Sequence, residues 1–325
     1  MTVDATPRVL IAYDGSPSAS TAVRAAAGLF PTAQAAVVTV PETPVQAGTG
    51  LTGLPTMAPE VASQVMDQLE AEARRQAGEA AQEAVDRAGA LGLQAEVVPV
   101  DPFAPAWAAL LDAAHRHGAD VLACGTRGRG AFARALLGST SSRLLHHTDL
   151  PLLVVPDGGG ALDGPAVAAY DGSEDATHAI QVVGRLLSGR RTVVVHAWEP
   201  VFHRSLATRA LAAAPLDDLP ATIADLHEAF ADRAAATTQA GVAAAGGAGL
   251  EAAGETVESD DGAWRAVAAA ARRHGASVIV TGSRGLGAAR SALLGSVSSG
   301  LVQNAELPIL VVPGEAAAAT AGQDG

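Results

Sequence analysis

Lysine is missing from this chain: all 21 basic residues are arginine. That excludes a Schiff-base lysine and a lysine gripping phosphate from a P-loop. Cysteine is nearly missing as well. Cys124 stands alone, so no intrachain disulfide can form, and the expected compartment is reducing and cytoplasmic. Cys124 falls in an apolar stretch and reads as packing rather than redox chemistry. Aromatic residues make up only 3% of the chain, which leaves few rings to stack on bases. No uncharged apolar run reaches membrane-spanning length, and no charged-then-apolar leader precedes the first strand. Basic charge is outweighed by 34 acidic residues, for a formal net charge of -13. That balance argues against nucleic acid and anionic membranes as partners, but not against a small anion held locally by backbone amides. Nine histidines are present, yet His115 and His117 are two apart and His146 and His147 adjacent, so neither pair shares a helix face. No metal site is expected.

What is present is a chain of 325 residues, 49% hydrophobic, rich in Ala, Val and Leu. The length predicts two domains. A repeat makes the division explicit. Ala-Tyr-Asp-Gly-Ser at 12–16 recurs at 169–173, Trp107 at Trp264, Gly125-Thr-Arg-Gly128 as Gly282-Ser-Arg-Gly285, and Ala-Leu-Leu-Gly-Ser at 135–139 at 292–296. Every pair is separated by the same offset (171 − 14 = 157), so the copies differ by no net insertion. A period this long is a domain duplication rather than a solenoid. The reading is a first domain over 1–157, a Gly-rich linker running through 157–165, a second domain over 163–314 and a disordered tail over 315–325.

Within the first copy, apolar runs at 9–13, 36–40, 94–100, 120–124 and 152–155 read as strands. Helices are expected at 19–29, with Ser16 or Ser18 as cap, at 59–90, with Val61, Val65, Leu69 and Ala73 at spacing four, at 105–117, stopped by Gly118, and at 139–147. Residues 41–59 read as a long loop. The second copy places strands near 166–170, 192–197, 251–257, 277–281 and 309–312. The alternation predicts an α/β fold with two tandem Rossmann-like domains, each an open parallel sheet with helices on both faces. Ligands of such sheets sit at the carboxyl ends of the strands.

That edge carries the distinctive motif. Residues 125–139 spell Gly-x2-Gly-x9-Gly-Ser between a strand and a helix, and residues 282–296 repeat it. Gly125 offers close backbone approach, Gly128 a positive φ and hence a nest of amides, and Gly138 and Ser139 a helix start with unpaired N–H groups. Ser141 adds a hydroxyl, and Arg127 and Arg284 add charge for a phosphate. Asp14 and Asp171 read either as acceptors for a ligand or as turn residues bonding their own backbone. Trp107 and Trp264 read as packing.

On this loop and its recurrence, the chain resembles a tandem universal stress protein over roughly residues 7–156 and 164–313. The resemblance implies five strands per domain in order 3-2-1-4-5 and ATP as ligand, with or without Mg2+. It implies adenine-side places for Ala12, Asp14 and Val40, and for Ala169, Asp171 and Ala197. Ribose and phosphate places fall to Gly125, Arg127, Gly128, Gly138, Ser139, Thr140 and Ser141. Their counterparts are Gly282, Arg284, Gly285, Gly295, Ser296, Val297 and Ser298. The function implied is a nucleotide-dependent regulator in the stress response, with no catalytic residues assigned. The alternatives are a slow ATPase or phosphotransferase, or an interaction module with one vestigial site. Pairing of the two domains through their last strands, 152–155 with 309–312, is also implied, and a homodimer and an unidentified protein partner are further expectations.

Overall fold

The structure is a computed structural model that describes residues 6–42, 59–101, 104–128, 137–200, 219–284, 294–304 and 306–314. The chain divides into two compact units between Gly159 and Gly160. The tail at 315–325 and most of the 41–59 loop lie outside the described residues.

The first unit runs β1 (Arg8–Ala12), α1 (Pro17–Leu29), β2 (Gln34–Val38), α2 (Pro59–Ala90), β3 (Gln94–Val97), α3 (Ala106–Arg116), β4 (Val121–Gly125), α4 (Ser139–His147) and β5 (Leu152–Val155). All pairings within it are parallel: β3 with β2, β2 with β1, β1 with β4 and β4 with β5. The strand order is therefore the 3-2-1-4-5 expected. Central strands are apolar on both faces because helices cover both. Leu10, Ile11, Leu122, Leu152 and Leu153 are fully buried. Each such side chain contributes about 1.5–3 kcal/mol relative to exposure.

The second unit repeats the order with β6 (Ala166–Ala169), α5 (Glu174–Leu186), β7 (Thr192–Trp198), α6 (Leu219–Gly247), β8 (Ala252–Glu258), α7 (Ala263–Arg273), β9 (Val278–Gly282), α8 (Ser296–Asn304) and β10 (Ile309–Val312). Its pairings, β8-β7, β7-β6, β6-β9 and β9-β10, are again all parallel. The segment leading into β6 is clasped by Arg190, whose Nη1 donates to Leu162 O (3.0 Å), Gly164 O (2.7 Å) and Ser277 Oγ (3.0 Å).

Two sequence expectations shift. The second strand sits two residues earlier than 36–40. Its ladder with β1 ends at Ala12–Val38, because β1 turns away at Asp14-Gly15, so Val40 lies beyond the strand. In the second unit β8 continues alongside β7 to Trp198–Glu258, and Ala197 stays inside the strand. The second shift concerns α2. The helix is where the pattern put it, but its buried face is Ala77, Ala80, Ala81, Ala84 and Ala88, while Val61 and Leu69 are 46% and 38% exposed. A helix of 32 residues far outruns a four-residue strand, at about 1.5 Å against 3.3 Å per residue, so only one end has sheet beneath it.

Candidate functional site

Parallel pairing brings the ends of β1, β2 and β4 to one edge of the first sheet, and the residues that follow them form the site. After β1, Asp14 Oδ1 accepts the Ser16 N–H at 2.9 Å, a local turn. Ser16 then caps α1, its Oγ accepting from Ala19 N at 3.2 Å. Ser18 rather than Ser16 is the closer clasp on the glycine loop. Both hydroxyls donate to Arg127 O, Ser16 at 3.2 Å and Ser18 in a shorter contact.

The loop is zipped at its base. Thr126 N donates to Val155 O (2.9 Å), Gly138 N to Thr126 O (2.6 Å), and Ser141 Oγ to Thr126 O (3.0 Å) or Gly138 O (3.2 Å). The Ser141 hydroxyl, expected as a ligand donor, is buried and spends its one proton closing the loop. The glycines have reasons other than those read from sequence. A Cβ at Gly125 would stand 2.8 Å from the Ser18 carbonyl carbon, so its absence lets α1 approach the loop. Gly128 is not among the glycines with positive φ; a Cβ there would meet Asp14 Oδ2 at 2.7 Å. The Gly128 requirement is thus room for the Asp14 carboxylate.

What stays open is the start of α4. Its N-cap is Gly138, which supplies no side-chain cap, and the first helical bond is Ser142 N to Gly138 O at 2.9 Å. The Ser139, Thr140 and Ser141 amides therefore precede the intrahelical ladder, at the positive end of the helix dipole. Ser139 is exposed and Thr140 half-buried. At the same edge, Thr39 Oγ1 and Arg127 Nε are buried without a hydrogen-bond partner among the described residues. Arg127 Nη2 pairs with Asp157 Oδ2 at 2.6 Å. Ala12 and Val40 are half-buried there. Buried Cys124, one residue before the loop, has its thiol pushed up to about 12 by burial and then by the nearby Asp14 charge.

The second unit rebuilds this frame. Ser283 N donates to Val312 O (2.7 Å), Gly295 N to Ser283 O (2.7 Å), and Ser298 Oγ to Gly282 O (2.6 Å). Asp171 Oδ1 accepts Ser173 N at 3.0 Å, and Ser173 caps α5. Ser296 begins α8, with Val297 where Thr140 stands. Half-buried Ala169 pairs with Val195, and Ala197 with Val257. Arg284 Nε lies 3.4 Å from Asp175 Oδ2. Gly285 lies outside the described residues. Sequence reading missed Ser18, Thr39, Asp157 and Asp175. Superposing the copies carries a signal for three of them: Ser18 matches Asp175 and Asp157 matches Gly314, so the acid near the arginine changes element between copies.

Trp107 stacks on His147 with ring centroids 4.4 Å apart, the packing role expected of it. Among the described residues no group of three or more His, Cys, Asp or Glu is placed to hold a metal, and no helix is long and apolar enough to cross a membrane.

Fold and loop define the class: a tandem α/β protein with one open parallel sheet per domain and a glycine loop at each carboxyl edge. The family model of the universal stress proteins matches residues 6–156 and again 165–313, and the chain belongs to that family. A universal stress protein of Mycolicibacterium smegmatis is 32% identical over 211 residues, 60% of this chain and 62% of the relative, so the chain spans about three fifths of that protein's length. A Mycobacterium tuberculosis universal stress protein is 29% identical over 233 residues, 69% of this chain and 70% of the relative. The crystal structure of a universal stress protein from Archaeoglobus fulgidus has the same fold, with a TM-score of 0.63 at 21% identity, covering 95% of this chain and 98% of that one.

Proposed function

We propose that each domain binds an adenine nucleotide, ATP in first place and with or without Mg2+, and that the protein is a nucleotide-dependent regulator in the stress response rather than a fast catalyst. The observation that carries this reading is the α4 start, a helix N-terminus capped by a glycine, at the sheet edge that also carries Asp14 and the buried Thr39 Oγ1 and Arg127 Nε, both unbonded among the described residues. Phosphates fall to the amides of Ser139, Thr140 and Ser141, the Ser139 and Thr140 hydroxyls, and Arg127 once it leaves Asp157. Ribose lies against Gly125, Gly128 and Gly138. Adenine lies between Ala12, Asp14 and Val40. In the second domain the same places fall to Ser296, Val297, Ser298, Arg284, Gly282, Gly285, Gly295, Ala169, Asp171 and Ala197. With no lysine to steady a transferring phosphoryl group, the reading is one of holding the anion by amides, hydroxyls and an arginine rather than of fast transfer. Binding to the folded state alone, at a hundredfold excess over Kd, stabilises by about 2.7 kcal/mol, enough to bias a conformational equilibrium.

The test is mass analysis of nucleotide released from freshly purified protein, with Gly128→Val and Gly285→Val made separately. The expected result is bound adenine nucleotide, lost in part with each variant and wholly with both. Unchanged nucleotide content in the double variant overturns the reading. Within its own domain β5 pairs with β4 alone and β10 with β9 alone, leaving an apolar edge in each that needs covering. We assign that cover to pairing of the two last strands, or to a second copy. Fast hydrogen exchange at those amides of 152–155 and 309–312 that point away from β4 and β9 overturns the assignment. A cytoplasmic location suits the single, inert cysteine.

A further inference from the structure

The amino edge of the first sheet, opposite the nucleotide site, holds a cavity of about 300 Å3. Its lining includes the cations Arg8 and Arg116, His117, the small residues Ala35 and Ala36, and one acid, Glu96. The cations are only partly used. Arg116 spends Nε on Asp112 (2.9 Å), and Arg8 spends Nη1 on His117 O (3.3 Å). The His117 ring and the Glu96 carboxylate have no partner among the described residues.

The duplicated domain shows what this place takes. Arg273 and His274 are the second copy's equivalents of Arg116 and His117. There Glu255, from the middle of β8, reaches both: Arg273 Nη2 contacts Oε1, and His274 Nε2 lies 2.6 Å from Oε2. Burial pushes the Glu255 carboxyl up, but the bonds from Arg273 and His274 outweigh it, and its pKa is lowered. The matching position in the first domain is Val98, and the register carries over, since Val98 N donates to Val37 O at 2.9 Å. The first domain thus has the arginine and histidine with no carboxylate at the matching position; its own acid on that face, Glu96, stands two residues earlier on β3 and makes no bond to them.

We propose that this cavity is a binding site for a small monocarboxylate, whose carboxylate takes, between Arg116 and His117, the place that Glu255 fills in the second domain. The Arg116 fork offers its remaining N–H groups, and His117 an N–H donor. Ala36, on the sheet face that Glu96 and Val98 share, receives a short apolar body. Glu96, two residues before Val98 on the same sheet face, disfavours a second negative charge and selects a ligand with one charged end. The site is independent of the nucleotide reading, since it shares no residue with that edge.

The probe is propionate, the end of a glutamate side chain as a free molecule, with neutral propionamide as control. Full-length protein is titrated and backbone amide shifts are followed by NMR. The expected result is saturable shifts at 34–36 and 116–119 with propionate and none with propionamide, at a Kd of roughly millimolar order for so small a ligand. The equivalent amides at 273–276 stay still. Arg116→Gln weakens binding about tenfold by removing the charged fork. Glu255→Val vacates the second domain's place, and propionate then shifts 273–276 as well. Val98→Glu supplies the carboxylate from the chain and is expected to abolish the propionate shifts at 116–119; where that buried substitution fails to fold, Glu255→Val keeps the test decisive. Equal shifts with propionamide, no saturable shift by about 50 mM, or binding unchanged in Arg116→Gln each overturn the proposal.

Discussion

The two glycine loops are the same frame with a different anchor. In the first, Arg127 is held by Asp157, which follows the last strand; in the second, Arg284 is held by Asp175, in the first turn of α5. The exchange is reciprocal. Where the second domain has Asp175 the first has Ser18, whose hydroxyl grips the Arg127 carbonyl, and where the first has Asp157 the second has Gly314. A half-buried arginine needs a counter-charge, and either neighbouring element can provide it. Backbone zipping, by contrast, is common to both, with matching bonds to Val155 O and Val312 O. The arginine partner is the variable part and the loop base the fixed part.

The comparison breaks first at the cores. Leu122→Ala and Ile279→Ala each remove a fully buried side chain from the fourth strand of its own sheet. Each is expected to cost 2–5 kcal/mol, about that of other large-to-small core changes. Chemical denaturation followed by the indole NMR signals, Trp107 for the first domain and Trp198 and Trp264 for the second, will show whether each loss stays in its own domain.

Next come the close approaches. Gly125→Ala drives a Cβ to 2.8 Å from Ser18 backbone, and Gly282→Ala to 2.9 Å from Asp175 O. Both should destabilise by about 1–3 kcal/mol through overpacking. Gly128→Ala should be milder, because it meets the movable Asp14 carboxylate. Thermal melts rank the three, and a Gly128→Ala loss larger than that of Gly125→Ala would contradict the ranking.

The domains part again in alkali. The Cys124 thiol is pushed from 9.0 up to about 12 by burial, whereas Thr281 holds the matching place. The folded state therefore favours the protonated thiol. Its contribution is intact below pH 9.0 and is lost as pH rises toward 12, at about 1.4 kcal/mol per pH unit. Cys124→Ala should flatten that part of the stability profile between pH 9 and 11, and a thiol reagent should label Cys124 only on unfolding.

The smallest effect on stability falls at the arginine anchors. Asp157→Asn and Asp175→Asn break partly exposed pairs, and each should cost less than about 1 kcal/mol. Their larger effect is on ligand. A freed arginine should raise ATP affinity a few-fold, in the first site for Asp157→Asn and in the second for Asp175→Asn. Calorimetric titration of the two variants checks both the sign and the site.

Much of this was legible in the sequence. Apolar runs located the central strands of both units, and α4 and β5 fell on their expected residues, because buried parallel strands leave a local signal; β3 and β8, polar edge strands, were placed by the alternation and the repeat. The end of β2 was not legible. Val38, Thr39 and Val40 are alike in strand preference, and only the turn of β1 at Asp14 ends the ladder. Nor was the role of the glycines. Residue type told that Gly125 permits a close approach and suggested a positive φ for Gly128, which the structure does not show; the atoms both glycines make room for, in Ser18 and Asp14, belong to α1 and to the turn after β1 and meet the loop only in the folded sheet.

By itself, then, the sequence determined the duplication, the α/β alternation, the position of both loops and the lack of lysine to serve them. These are properties of residue order and composition, readable along one dimension. Tertiary structure alone decided which carboxylate neutralises each loop arginine, that the Ser141 and Ser298 hydroxyls close their loops, and that Arg116 and His117 face a cavity where Arg273 and His274 meet Glu255. Those are contacts between elements far apart in the chain, and a side chain's partner is fixed by what the packed sheet brings within hydrogen-bond reach, not by its neighbours in sequence.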